Sequence, residues 1–253
     1  MKTRRLGLQR RWAVVVNALQ RIVVSYERAS SRIALRGDEK MRLLAVASAV
    51  RKGGLVLDLG SGPGTMSRLV ASAGGVPVLL DVSSEMLRSA PFVSRVQAMF
   101  EYLPFREGTF DSVVSGFAVR DSYDLLASVS EVARVMRSDG VFSFCDLGRP
   151  DSVPKAIAVA LYLRVFPPLI GLLFEGIAGL GYGTIFDTYM LAPTNSSLRR
   201  LLSLFFRHVA VTEHRLGSSI VVVCSGKRQT ALLSASSSSP ILPAGTLPPA
   251  ALL

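Results

Sequence analysis

Residues 55 to 64 read Leu55-Val56-Leu57-Asp58-Leu59-Gly60-Ser61-Gly62-Pro63-Gly64, an aliphatic run that ends in three glycines spaced two apart. Glycines at such a turn allow backbone angles closed to other residues and let a ligand approach the main chain itself. An acid, Asp81, closes the next aliphatic run, 17 residues after Gly64. From that place a carboxylate can grip both hydroxyls of a ribose.

Two kinds of nucleotide-like ligand use this arrangement. A pyrophosphate relies on the N-terminus of the following helix, with glycines in the pattern G-x-G-x-x-G. Here the glycines run Gly60-x-Gly62-x-Gly64, and Asp58 precedes them. A carboxylate at that point repels a pyrophosphate and suits the amino group of a methionine moiety. The expected cofactor is therefore S-adenosylmethionine.

Other reactive side chains are sparse. Cys145 and Cys224 each end an apolar, strand-like run, with no CxxC spacing and no histidine nearby, so both are expected to be buried thiols. His208 and His214 are the only histidines and lie near strand starts late in the chain, where surface or packing roles are expected. No set of Cys, His and acidic residues has metal-ligand spacing, so no metal is expected.

The elements that must hold the turn alternate. Met41–Val50 is a predicted helix, Leu55–Leu59 a strand, Thr65–Ala73 a helix and Pro77–Asp81 a strand. Ser84–Ala90 continues as helix, Arg95–Ala98 and Ser112–Gly116 as strands, Tyr123–Met136 as helix and Gly140–Asp146 as the fifth strand. A helix over Ser196–Phe206 and strands over His208–Arg215 and Ser218–Ser225 close the series. This rhythm predicts an α/β, Rossmann-like fold: a doubly wound, mostly parallel seven-stranded sheet with right-handed crossovers.

Between residues 150 and 195 the rhythm breaks into apolar and small residues. Arg164, Pro167, Pro168 and Glu175 interrupt the stretch, leaving about ten apolar residues in a row where a membrane span needs about twenty. The expectation is an insertion of helices, not a span, that shapes an apolar acceptor pocket before the last strands.

At 253 residues, 49% of them hydrophobic, the chain can bury one full core. Its net charge of +11 is concentrated at one end: residues 1 to 42 hold eleven Lys or Arg against Glu27, Asp38 and Glu39, a balance of +8. Segment 1–40 is thus a basic N-terminal piece, in which Trp12, Val15, Val16, Leu19, Ile22 and Val23 lie at helical spacing. Such an amphipathic helix could lie on a membrane or cap a substrate cleft. With no nucleic-acid-binding motif beside it, lipid is the favoured anionic partner and no nucleic acid is expected. The expected location is cytoplasmic and peripheral to a membrane. Residues 41–228 form the catalytic domain, and 229–253, uncharged and rich in Ser, Pro, Ala and Leu, an expected disordered tail.

With these motifs in place, residues 26–228 resemble the ubiquinone/menaquinone biosynthesis C-methyltransferases, class I enzymes that methylate a ring carbon of a polyprenyl quinol. Asp81-Val82-Ser83-Ser84-Glu85-Met86-Leu87 is similar to the stretch after their second strand. Glu101-Tyr102-Leu103-Pro104-Phe105 resembles their adenine-side loop, and Gly116-Phe117-Ala118-Val119-Arg120-Asp121 their S-F-G-L-R-N. Glu131-Val132-Ala133-Arg134-Val135-Met136 matches the helix before the fifth strand, and Tyr26 stands where they have an early Tyr-Asp pair. Departures are Met99 in place of Asn or Asp, Asp121 in place of Asn, and Gly217-Ser218-Ser219-Ile220 in place of Thr-Gly-Gly-Ile.

The resemblance implies a cofactor site of Asp58, Gly60, Ser61, Gly62, Gly64, Asp81, Val82, Met86, Phe100, Glu101 and Gly116. It also implies a prenylated quinol as acceptor. Arg120 is the expected stabiliser of the phenolate oxygen, directly or through a water. Asp121 is expected to orient Arg120 or accept the proton, and Tyr26 to close the pocket. Another small or lipid-like acceptor, such as a phospholipid amine, is the alternative. A nucleic-acid methyltransferase is disfavoured by the lack of an Asn/Asp-Pro-Pro-Tyr motif. Monomer and homodimer both remain open.

Overall fold

The computed structural model describes residues 37–228. Tyr26, the basic amphipathic segment and the uncharged tail all lie outside the described residues. In chain order the elements are α1 (Asp38–Ala49), β1 (Leu55–Leu59), α2 (Thr65–Ser72), β2 (Val76–Asp81), α3 (Ser84–Ser89), β3 (Arg95–Gln97) and β4 (Phe110–Gly116). A 3-10 turn (Val119–Asp121) leads into α4 (Leu125–Val135) and β5 (Met136–Leu147). Then come α5 (Val153–Glu175), a 3-10 segment (Gly176–Gly183), α6 (Thr184–Leu191), α7 (Asn195–Leu202), β6 (Phe206–His214) and β7 (Ser219–Lys227).

Seven strands form one sheet in the order β3-β2-β1-β4-β5-β7-β6. β7 runs antiparallel to both β5 and β6, and the remaining pairs are parallel. The chain lays β2 on one side of β1 and β4 on the other, so strand order reverses at β1. Ligands of open α/β sheets bind beyond the carboxyl ends of the strands at such a reversal. Gly60 and Gly116, which follow β1 and close β4, stand there.

The central strands are buried on both faces, so they read as continuous aliphatic runs. Leu57, Leu59, Val113, Phe142, Phe144 and Val222 join Val129, Val132 and Met136 of the α4 side in one core. On the opposite face Met41, Ala45, Val46 and Ala49 of α1 pack with Val56, Val114, Cys145 and Val221. Both thiols are free and buried, as their apolar runs predict, and burial pushes each up to about 12.

Two sequence expectations are corrected. The fifth strand begins at Met136, four residues before Gly140, because Met136 pairs with Phe110 while Val141 pairs with Ser112. The intervening Arg137-Ser138-Asp139-Gly140 bulges out of register and reads as a turn in sequence. The second concerns 150–195: the helical insertion is there as expected, but Arg164, Pro167 and Pro168 do not interrupt its apolar stretch, and Val153–Glu175 is one helix with both prolines inside it. Proline removes helical hydrogen bonds but does not end a helix whose two halves are held by neighbours. Over Val153–Phe174 the helix is long and apolar enough to cross a membrane by length and composition, at mean hydropathy 2.0.

Candidate active site

The glycine turn adopts the conformation its composition requires. Gly60, Gly62 and Gly64 all have positive φ, at 71°, 52° and 85°. A Cβ on Gly60 would sit 2.4 Å from the Ala118 Cβ and 2.8 Å from the Phe100 ring. Turn and strand are tied together by main-chain bonds, since the N–H groups of Gly60 and Ser61 both donate to the Leu80 carbonyl.

An open cleft with about 620 Å³ of empty space, its mouth included, lies over this turn. Gly60, Ser61 and Gly62 floor it; Asp81, Val82, Ser83 and Met86 form one wall. Gly116, Phe117, Ala118 and Asp121 form the other, and Arg42 of α1 closes the side. Phe117 holds φ of 63°, an uncommon value for a non-glycine residue and typical of sites that the surrounding structure over-determines.

Asp81 ends β2 with its carboxylate gathered toward the turn. One oxygen accepts the Gly62 N–H at 2.8 Å and the other the Ser83 N–H at 2.8 Å. Burial raises its pKa, and these amide bonds work against that rise. Ser83 also caps α3 by accepting from the Met86 N–H, which fixes Met86 against the cleft. The site fits the expected cofactor in two respects. A backbone cradle without side chains is present, and the Ser61 hydroxyl is buried at the floor with no protein partner. Gly60, Ser61, Gly62 and Asp81 could therefore hold S-adenosylmethionine through main chain, hydroxyl and carboxylate.

Four expected cofactor contacts stand elsewhere. Asp58 is fully buried beneath the turn, outside the cleft lining, and accepts the Ser67 hydroxyl at 2.6 Å. Burial raises it to about 7, against the opposing pull of Ser67 and of the Arg42 charge. Its influence on a ligand is thus through charge, not contact. Glu101 turns away to α4, accepting the Asp124 N–H and the Ser128 hydroxyl at 3.0 Å each. Phe100 packs on Gly60 without lining the cleft. Gly64 starts α2 with Ala90 and Phe92 behind it, also off the lining. Val82, Met86 and Gly116 do line it.

The Leu-Pro-Phe and Glu-Val-Ala-Arg motifs prove to be one clamp. Arg134 donates to the carbonyls of Leu103 and Phe105 at 2.8 Å each, and Glu131 accepts from both Arg134 and the Leu103 N–H. They hold the loop that carries Phe100 and Glu101.

On the acceptor side, Arg120 and Asp121 follow β4 in a 3-10 turn. The Arg120 guanidinium ion-pairs with Asp146 at the end of β5, donates to the Phe117 carbonyl at 3.0 Å, and lies 3.5 Å from Asp121. Its backbone N–H also goes to Asp146, so that acid anchors the whole turn. Arg120 is thus committed to protein partners and does not line the cleft. Asp121 does, with one carboxylate oxygen buried and lacking a protein partner. Burial raises its pKa to about 6, more than the Arg120 charge and a hydrogen bond from Thr188 of α6 can offset. A carboxyl poised near the working pH is suited to proton transfer.

Sequence reasoning missed Arg42, Ser83, Asp146 and Thr188. Arg42 sits beside Met41, Ala45, Val46 and Ala49 on the buried face of α1. A lone arginine adjoining that small apolar face is the signal that could have flagged it.

A methyltransferase domain profile matches residues 57–144. A ubiquinone/menaquinone biosynthesis C-methyltransferase of Pseudomonas putida is 30% identical over 195 residues, 71% of this chain and 74% of that protein. A demethylmenaquinone methyltransferase of Streptomyces avermitilis is 32% identical over 140 residues, 53% of this chain and 61% of that one. Among solved structures, a SAM-dependent methyltransferase of Thermotoga maritima superposes with a TM-score of 0.63 at 15% identity, over 83% of this chain and 99% of its own. Turn, sheet order and relatives agree: the chain belongs to the class I S-adenosylmethionine-dependent methyltransferases and resembles, within them, the ubiquinone/menaquinone biosynthesis C-methyltransferases.

Proposed function

We propose that the protein methylates a ring carbon of a prenylated quinol, in the cytoplasm at a membrane surface, with Asp121 as proton acceptor. The observation that carries this reading is the Asp121 carboxyl: buried at the cleft wall, one oxygen without a protein partner, and raised to about 6. At pH 7 it is mostly ionised and can take a phenolic proton. Bound S-adenosylmethionine supplies an electrophilic methyl group on a sulfonium. Asp121 taking the quinol O–H proton would push electron density onto the ring carbon, the nucleophile for that methyl group, with the sulfonium electron pair leaving on the thioether. The methylated ring carbon would then give its C–H proton to water while Asp121 returns its proton to the oxygen, which restores the aromatic quinol.

The other residues position this step. Arg120, held by Asp146, keeps a fixed cation 3.5 Å from Asp121 and favours its ionised form. α6, which ends the apolar insertion, packs against the 3-10 turn that carries Asp121. The relatives named for quinone biosynthesis support the acceptor class. The basic N-terminus suits an anionic membrane that holds such lipids.

The test is transfer of labelled methyl to a demethylated prenyl quinone offered reduced and oxidised in detergent. Label in the reduced lipid alone supports the reading. Cofactor binding with no label in either form removes the quinol and leaves another acceptor to be found.

A further inference from the structure

Helix α5 has the composition of a core helix and the exposure of a surface one. Its mean hydropathy is 2.0 over Val153–Phe174, yet only 17% of its most apolar window is buried within the protein. A helix apolar on all sides is stable in a protein core or in a bilayer. α5 is not in the core. Its inner side, with Leu163 and Gly171, packs on the following 3-10 segment so tightly that a Cβ on Gly171 would lie 2.2 Å from the Gly179 carbonyl. Its outer side presents Ile157, Leu161, Val165, Leu169 and Leu173 one turn apart, each 47–72% exposed.

The fold forbids α5 from simply crossing a membrane. The chain leaves the sheet at Arg149 and returns to the same place: the Asn195 N–H donates to the Arg149 carbonyl at 2.8 Å, and the Ser196 hydroxyl to Asp151 at 2.6 Å. Partway along, the Tyr189 hydroxyl donates to the Ala156 carbonyl. α5 and its return are a hairpin with both feet on the domain.

We infer that the outer face of α5 lies in one leaflet of an anionic bilayer, with the Ile157–Leu173 stripe in hydrocarbon and the hairpin feet at the headgroups. Charge matches this occupant. Arg149, Lys155 and Arg200 outnumber Asp151 and Glu213 at the feet, and the whole chain carries +11. Such cations are attracted to anionic lipid, and the stripe supplies the apolar half of the interaction. α6, which continues the hairpin, packs on the 3-10 turn that carries Asp121, so the immersed surface adjoins the acceptor side of the cleft. The inference rests on the quinol proposal only for this consequence; bilayer binding does not require it.

The test uses the full chain with Leu169→Cys carrying an environment-sensitive fluorophore. Cys145 and Cys224 are buried, so the introduced thiol takes the label. With vesicles of equal phosphatidylcholine and phosphatidylglycerol, emission should shift to the blue and be quenched by brominated acyl chains, while a label at Val93→Cys should not respond. Leu161→Asp and Leu173→Asp should each lower the bound fraction roughly tenfold or more, with cofactor affinity unchanged. Two results overturn the inference. One is binding to vesicles with the Leu169 label unquenched, which assigns the contact to the basic segment alone. The other is a vesicle-independent shift that grows with protein concentration, with a dimer split by Leu169→Asp, which makes the stripe a self-interface. Neither methyl donor nor acceptor is present, so failure of quinol methylation leaves the result untouched.

Discussion

Replacing Asp121 by Asn should make the protein more stable and less active at once. The carboxyl is raised from its ordinary 3.8 to about 6, chiefly by burial. Holding it ionised at pH 8 therefore costs the folded state on the order of 3 kcal/mol relative to the unfolded chain. Asparagine removes that cost, in which the attraction to Arg120 is already counted, and adds the burial of an amide without a full set of partners, about 1–2 kcal/mol. The net gain is about 1–2 kcal/mol, a rise in Tm of roughly 3–6 °C for a domain of this size. Because the folded pKa lies above the unfolded one, the cost vanishes as the acid protonates. The advantage of Asn should thus shrink between pH 6 and pH 4. Methyl transfer should behave oppositely. With S-adenosylmethionine saturating, wild-type kcat/KM for the acceptor should fall about tenfold per pH unit below 6, and the variant should lose that limb along with about 100-fold or more in kcat. Thermal melts at pH 8 and pH 4, paired with pH–rate profiles, measure both. A variant less stable at pH 8, or one that keeps the acid limb, refutes the assignment.

Gly60→Ala should abolish cofactor binding by isothermal titration, since its Cβ would lie 2.4 Å from Ala118 at a φ of 71°. Asp146→Ala should destabilise by about 3 kcal/mol or more in chemical denaturation, because it takes the nearer carboxylate from the buried Arg120, leaving Asp121 at 3.5 Å, and frees the 3-10 turn. Cys145 and Cys224, both pushed up to about 12, should resist maleimide in the native protein at pH 8 and react only on unfolding.

The cofactor half of the site was legible because its demands are local. Three glycines between an aliphatic strand and a helix specify their own backbone, and an acid ending the next strand needs no knowledge of distant neighbours. What escaped is what depends on contacts far along the chain. Asp146 reaches Arg120 across 26 residues, and Arg42 reaches Gly116 across 74. Glu101 reads as a cofactor ligand by position, yet α4 offers it an N-terminal amide and a serine, and it caps them instead. Helix α5 misled for a different reason. Two prolines and an arginine argue for a break, but close packing of Gly171 on Gly179 supports the helix past them, and the Arg164 guanidinium rests over the Phe186 ring.

Asp58 carries the argument from sequence to a measurable coupling. Its charge separates a sulfonium cofactor from a pyrophosphate one, yet it does not line the cleft. At about 7 it is roughly half ionised in the empty protein at neutral pH. A ligand with a net positive charge, carried by sulfonium and ammonium against one carboxylate, favours the ionised form and lowers that pKa. A pyrophosphate does the reverse. S-adenosylmethionine binding should therefore release up to about half a proton near pH 7, and its affinity should rise as pH increases through that value. Asp121 would contribute similarly near pH 6, so the experiment belongs in the Asp121→Asn background. Titration calorimetry in two buffers of unlike ionisation enthalpy reads the proton directly. S-adenosylhomocysteine, which lacks the sulfonium charge, should release less. Proton uptake, or equal release by the two ligands, would mean that the buried carboxylate does not sense the methyl-bearing charge, and the preference for this cofactor would rest on shape alone.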